Sequence, residues 1–205
     1  MKTLIFDMDG VITRSPEFYW EARRLYLAEL GVKLELEVIQ KLLGKPLILQ
    51  VGELNKIYSL NLNYEEFQKK THTIAENLMH DKNITVKGIV EFIKKNKKNK
   101  LAIFSNNIKR NVFPRLKNLA IQDYFKVILT YEDMTHSKDS KESFFQILNL
   151  LESKPEDCTY FDDTNEGLKI AKELGMKTIG VSNKFIQKFS SADKVIESFT
   201  DVEEE

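Results

Sequence analysis

From its amino end the chain opens with an apolar run, Leu4-Ile5-Phe6, that leads straight into Asp7-Met8-Asp9-Gly10. Three apolar residues in a row suit a central strand covered on both faces. A buried strand does not tolerate two unpaired aspartates, so both are expected where the strand opens at its carboxyl end. Gly10 then allows a sharp turn. After Thr13 the spacing becomes helical. Phe18, Ala22, Leu25 and Tyr26 predict a helix that accepts Pro16 in its first turn and ends at Gly31. Leu36, Ile39 and Leu43 predict a second helix, ended by Gly44, and Leu47 to Tyr58 a third. Phe67, Thr71, Ile74 and Leu78 predict a fourth, with Asn63 as N-cap.

From Val86 onward the pattern alternates. Helices are expected over Gly88–Asn96, Val112–Leu119, Ser143–Leu151 and Glu166–Leu174, the last ended by Gly175. Between and after them lie strand-like runs at Leu101–Phe104, Val127–Leu129, Thr159–Phe161 and Thr178–Val181, with a short edge strand at Val195–Ile196. Strands alternating with helices predict an α/β fold built on a doubly wound parallel sheet. A crossover between parallel strands needs one helix only. The extra helical sequence therefore reads as an insertion, giving a core domain of residues 1–14 and 82–205 and an inserted helical domain of residues 15–81. The acidic tail Glu203-Glu204-Glu205 is expected to fray.

Composition narrows the function classes. The chain has 205 residues, 42% of them hydrophobic, enough for a full core. Its 31 basic and 31 acidic residues cancel, which argues against nucleic acid or an anionic membrane as the main partner. The single cysteine, Cys158, excludes an internal disulfide and sits in an apolar run as a core thiol. His72, His80 and His136 lack metal-ligand spacing with one another or with Cys158, so no zinc site is expected. The first residues read as a strand, so no signal peptide is expected, and no apolar stretch reaches the length of a membrane span. A cytoplasmic location is expected.

Three later strands also end in polar groups. The second runs into Ser105-Asn106-Asn107, where a hydroxyl and an amide can hold phosphate oxygens. The third is followed by Ser137-Lys138-Asp139-Ser140-Lys141-Glu142-Ser143-Phe144. The fourth ends in Asp162-Asp163-Thr164-Asn165-Glu166-Gly167. Two adjacent aspartates after an apolar strand need a neutralising charge, and Mg²⁺, with its hard oxygen ligands, suits them. Each signal alone also fits ordinary turn or capping chemistry.

Together, and in this order, the four signals resemble the haloacid dehalogenase (HAD) superfamily. Asp7-Met8-Asp9-Gly10 resembles its first motif. Lys138 matches the family lysine by its spacing to Phe144, although Asp139 and Lys141 replace both prolines of the usual Lys-Pro-x-Pro. Leu168 to Val181 looks like the segment after the fourth motif. The place of the insertion resembles subclass I, the group of β-phosphoglucomutase-like and phosphoglycolate phosphatase-like proteins, in which a helical cap covers a Rossmann-like core. The dehalogenase branch lacks the second aspartate, so Asp9 argues for phosphoryl transfer.

The resemblance implies Asp7 as the nucleophile that forms an aspartyl-phosphate, and Asp9 as the general acid and base. It implies Mg²⁺ held by Asp7, the Asp9 carbonyl and either Asp162 or Asp163. Ser105, the Asn106 backbone amide and Lys138 are expected to position the phosphoryl group. Substrate selection is expected from Arg14, Tyr19 and Lys45. Many relatives carry Asp where this chain has Arg14. The change implies either an anionic group elsewhere on the substrate or a surface salt bridge. Tyr19 occupies the place of a histidine that β-phosphoglucomutase uses, and a phenol is a poor substitute near neutral pH. The expected activity is therefore hydrolysis of a small phosphorylated metabolite by a monomer or weak dimer. Alternatives are a phosphosugar mutase and a non-catalytic binding protein.

Overall fold

The computed structural model describes residues 2–43, 45–186 and 188–202. Gly44 and the tail Glu203–Glu205 lie outside the described residues. The chain divides into two compact units, Met1–Arg14 with Thr85–Glu205, and Ser15–Ile84.

The first unit is built on a six-stranded sheet of β1 (Thr3–Phe6), β2 (Lys100–Phe104), β3 (Val127–Leu129), β4 (Cys158–Asp162), β5 (Lys177–Val181) and β6 (Lys194–Ile196). Their order is β3-β2-β1-β4-β5-β6 and every pairing is parallel. The doubly wound α/β expectation holds. The chain builds outward from β1 to β3, then returns to the other side of β1 for β4. That reversal opens a crevice beyond the carboxyl ends of β1 and β4, where ligands of such sheets bind.

Alternation along β1 sends its side chains to opposite faces. Phe6 joins one core layer with Ile89, Ile93, Val112 and Leu116, supplied by α5 (Ile89–Lys95) and α6 (Lys109–Asn118). Ile5 joins the other with Phe144, Ile147, Leu168 and Ala171, from α7 (Lys141–Leu151) and α8 (Asn165–Glu173). Phe6 stacks on Phe161 of the neighbouring strand at 4.8 Å between ring centroids. Fully buried aromatic rings of this kind contribute roughly 1 kcal/mol beyond their area burial. They fix β1 against β4 at the base of the crevice. At the opposite end of β4, Cys158 is buried and its Sγ donates to the Lys154 carbonyl at 3.1 Å. Burial pushes its thiol up to about 11.

Several strands begin one residue before the sequence expectation, and at β4 the difference bears on the site. β4 begins at Cys158 and keeps Asp162 in the ladder, opposite Gly180. A carboxylate persists there because donors close around it, as described below.

The second unit holds α1 (Ser15–Glu29), α2 (Leu36–Leu42), α3 (Leu47–Tyr58) and α4 (Tyr64–Met79). The Asn63 side chain accepts from Glu66 N at 3.0 Å and caps α4. Tyr26 meets Phe67 edge to face at 5.7 Å. Trp20, Ala22 and Leu27 on α1 and Ala75 on α4 are buried too. Among the described residues no helix is long and apolar enough to cross a membrane.

Candidate active site

Asp7 is the first residue beyond β1, and its N–H extends the ladder by donating to the Phe161 carbonyl at 2.9 Å. The chain then turns tightly. Thr13 N donates to the Met8 carbonyl at 3.1 Å, and Gly10 N to the Thr13 carbonyl at 2.6 Å. Gly10 has φ +93, and a Cβ there would lie 2.1 Å from the Asp163 carboxyl group. Glycine is needed both for the backbone angle and for the approach of Asp163.

Asp7, Asp162 and Asp163 converge so that one carboxylate oxygen from each lies within 4.8 Å of the others. Lys138 is buried among them, with Nζ at 2.9 Å from Asp7 Oδ1 and 3.4 Å from Asp162 Oδ2. Its ammonium also sits 5.5 Å from the Phe104 ring centroid and 5.8 Å from that of Tyr160. The lysine loop lacks the prolines of the usual pattern, but other bonds hold it. Ser143 Oγ donates to the His136 carbonyl at 2.9 Å, and the Ser140 side chain caps α7 by accepting from Ser143 N.

The two adjacent aspartates have different surroundings. Asp162 is fully buried, and both its oxygens are engaged. Oδ1 accepts from Thr164 N and Thr164 Oγ1, each at 2.8 Å. Oδ2 accepts from the Tyr160 hydroxyl and from Lys138. Among the described residues, Asp163 receives one long contact, from Asn183 Nδ2 at 3.4 Å to its Oδ2. Burial drives the Asp163 carboxyl well above the ordinary carboxylate range, and the negative charges of Asp162 and Asp7 add to it. Asp7 is pushed up to about 7, first by burial and then by Asp162 and Asp9, against the pull of Lys138. Burial opposes the charge on Lys138, yet Asp162 and Asp7 raise it above its usual value. The cluster has more negative charge than Lys138 neutralises.

Asp9 faces a second set of donors. Its Oδ2 accepts from Asn107 Nδ2 at 2.7 Å and its Oδ1 from Arg115 at 3.1 Å. The orientation of the Asn107 amide follows from its other bonds. Its Oδ1 accepts from Ile108 N at 2.8 Å and Asn111 Nδ2 at 2.9 Å, which leaves the NH₂ toward Asp9. Ser105 is buried at the end of β2, and its Oγ accepts from Asn107 N at 3.1 Å. Asn106 is exposed.

Of the remaining expected residues, Arg14 ends the first segment of the α/β unit, and Tyr19 and Lys45 belong to the helical unit. Arg14 is exposed and forms no ion pair among the described residues, so a surface salt bridge does not account for it. Lys45 lies exposed between α2 and α3, and its carbonyl accepts from Gln50 Nε2 at 2.7 Å. Tyr19, on α1, shares a 3.3 Å hydrogen bond with His72 Nδ1, while His72 Nε2 lies 3.2 Å from Glu76.

A protein-family model for haloacid dehalogenase-like hydrolases matches residues 4–181. The chain belongs to this family. Within the HAD hydrolases it is 27% identical over 182 residues to a phosphorylated carbohydrates phosphatase of Thermotoga maritima, covering 87% of this chain and 84% of that one. It is 24% identical over 217 residues to the β-phosphoglucomutase of Bacillus subtilis, covering 98% and 92% of the two. Among solved structures, the HAD-hydrolase YfnB of Bacillus subtilis, bound to magnesium, superposes with a TM-score of 0.72 at 19% identity over 97% of this chain and 95% of that one. HAD hydrolases use a divalent metal, and the acidic trio is consistent with one.

Sequence reasoning missed Asn107, Arg115 and Tyr160. Asn107 had a usable signal, since it stands two residues beyond Ser105 in the same strand-end loop. Arg115 and Tyr160 had none. One is a cation on an amphipathic helix, and the other is one aromatic in an apolar strand.

Proposed function

We propose that this HAD hydrolase is a phosphatase of a small phosphomonoester and works through an aspartyl-phosphate. The observation that carries this reading is the convergence of Asp7, Lys138, Asp162 and Asp163 at one crevice, with Asp9 held beside them by Asn107 and Arg115.

Asp7 attacks the phosphoryl group in line, and Asp9 donates a proton to the leaving alcohol. Asp9 then takes a proton from the water that hydrolyses the acyl phosphate. Ser105, the Asn106 backbone amide and Lys138 position the transferred group. Lys138 also holds Asp7 in place through its 2.9 Å contact. The donor set fits a hard divalent cation, because it is all oxygen and its negative charge exceeds that of Lys138. Asp7, the Asp9 carbonyl and Asp163 would hold Mg²⁺. The four donors on Asp162 favour Asp163 as the ligand and give Asp162 the role of anchoring Lys138 and the strand end. When bound, the ion offsets the repulsion between the carboxylate and the phosphate. The helical unit acts as the cap that selects the substrate, with Arg14, Tyr19 and Lys45 contributing. A phosphorylated sugar as substrate fits the relatives named phosphatase.

A phosphosugar mutase uses the same chemistry, and one observation bears on it. His72 restores an imidazole next to Tyr19. The deciding experiment is phosphorus NMR of the enzyme with Mg²⁺, β-glucose 1-phosphate and a trace of glucose 1,6-bisphosphate. Free phosphate as the main product supports the phosphatase. Glucose 6-phosphate formed without phosphate release replaces it with the mutase.

A further inference from the structure

The loop after β5 brings one side chain to the acidic trio. Asn183 stands two residues beyond Val181, where β5 ends. Its backbone closes a tight turn, in which Asn183 N donates to the Ile186 carbonyl at 2.9 Å. Its side-chain Oδ1 accepts from Phe185 N at 2.9 Å and from Ile186 N at 3.1 Å. With Oδ1 so engaged, the NH₂ is left toward Asp163. Nδ2 lies 3.4 Å from Asp163 Oδ2. The turn is itself tied to the sheet, since Ser182 N donates to the Ile196 carbonyl of β6 at 2.8 Å. The amide is therefore a donor fixed in direction.

The same carboxylate oxygen is confined by a second element. A Cβ on Gly10 would lie 2.1 Å from Asp163 Oδ2, so this oxygen packs directly on the glycine backbone. Asp163 Oδ1 accepts no hydrogen bond among the described residues. The two oxygens are thus unlike, one set against Gly10 and Asn183, the other left to a cation. Mg²⁺ demands a near-ideal octahedron and keeps several waters, whereas Ca²⁺ takes more oxygens and often both of one carboxylate. An N–H aimed at the second oxygen opposes its use as a ligand, because its positive end faces where the cation would have to sit. At 3.4 Å the contact supplies direction more than strength, so its effect is on the choice between ions rather than on binding as a whole.

We propose that Asn183 is a positioning residue of the metal centre, which keeps Asp163 to ligation through one oxygen and so favours Mg²⁺ over Ca²⁺. The proposal rests on the reading of Asp163 as a metal ligand.

The test measures binding without substrate. Mn²⁺ is titrated into the full-length, chelator-treated protein, free Mn²⁺ is followed by electron paramagnetic resonance, and Mg²⁺ and Ca²⁺ are used to displace it. Asn183→Ala should strengthen Ca²⁺ relative to Mg²⁺ several-fold. Asn183→Asp keeps an acceptor for Phe185 N and Ile186 N but loses the donor, so it separates the amide from the turn. It should shift the ratio in the same direction. Circular dichroism checks folding, and the aspartate variant decides the matter where the alanine one does not fold. In turnover at fixed Mg²⁺, Ca²⁺ should inhibit Asn183→Ala at a several-fold lower concentration than the wild type. An unchanged ratio in both variants, or a shift in the alanine variant alone, overturns the proposal. Asp163→Asn separates that failure from a failure of the ligand reading. If it weakens Mn²⁺ binding while the Asn183 variants leave the ratio unchanged, Asp163 remains a ligand and Asn183 has no part in the choice of ion. If it leaves Mn²⁺ binding unchanged, the ligand reading falls and the proposal falls with it.

Discussion

The two units of this chain satisfy their polar groups differently. Among the described residues of the α/β unit, no buried side-chain donor or acceptor is left without a partner, even though it buries Asp7, Asp162 and Lys138 together. Both unsatisfied atoms, Arg23 Nε and Gln50 Oε1, belong to the helical unit. The first unit is preorganised. Its charges are fixed by one another and by the sheet, ready for a reaction whose charge pattern does not vary between substrates. The second leaves these two polar atoms unmet and has no comparable cluster of buried charges among the described residues.

If that division is right, changes in the α/β unit should stop the chemistry on every substrate. Asp7→Asn has the largest expected effect, a loss of about 10⁴-fold or more in kcat, on the scale seen when one member of a catalytic group is removed. Phosphate release is the measurement, and a folded variant at near-normal rate would refute the aspartyl-phosphate. Next comes the metal. Chelation by EDTA should abolish turnover and Mg²⁺ restore it, while Ca²⁺ should inhibit because it takes more ligands at longer distances. The two adjacent aspartates should then separate. Asp163→Asn should raise the Mg²⁺ concentration for half-maximal rate with little change in stability. Asp162→Asn should lower stability by about 3 kcal/mol, because Lys138 and Tyr160 lose their buried anionic partner. Urea denaturation of both variants reads this contrast, and equal destabilisation would erase it.

Smaller effects probe finer differences. Arg115→Ala frees one oxygen of Asp9, and a misdirected acid should cost about 10- to 100-fold in kcat. The loss should be greatest for alkyl phosphates and least for p-nitrophenyl phosphate, whose leaving group needs little help from a proton. A uniform loss would make Arg115 a structural residue. Lys45→Ala should change the ranking of substrates by a few-fold and leave p-nitrophenyl phosphate untouched. The smallest effect is on acid stability. The Lys172 hydrogen bond, with bonds from Thr178, holds the Asp193 carboxyl below its ordinary range. Its contribution is therefore complete above about pH 4, the usual carboxylate value, and is lost as pH falls through the lowered pKa. Asp193→Asn should flatten the acid side of the stability profile, lowering stability at neutral pH and leaving it nearly unchanged at low pH. A steeper acid limb would contradict it.

The legibility of the sequence follows the same division. The α/β unit could be read because strand ends announce themselves. An apolar run that stops at Asp7, Ser105 or Asp162 identifies both an element and the polar group at its mouth. Lys138 needed a resemblance, since nothing local separates it from its solvated neighbours Lys141 and Lys154. What stayed hidden depended on tertiary arrangement. Asp162 and Asp163 are identical in sequence, and only Tyr160, Thr164 and Asn183 tell them apart. The α1 pattern revealed a buried stripe through Ala22 and Tyr26. It could not show that Glu21 would turn to Arg24 rather than to Arg23.

Cys158, the inert thiol at the far end of β4, gives the molecule an internal clock. A thiolate is needed for alkylation, and a buried thiol pushed up to about 11 does not supply one in the native state. Labelling therefore reports openings of the strand that ends in Asp162, and the same opening must dismantle the crevice at the other end. Any ligand that binds the closed form slows that opening in proportion to its occupancy. The rate at which a thiol reagent modifies this one cysteine thus measures cation or phosphate-ester binding in a protein that has not turned over at all.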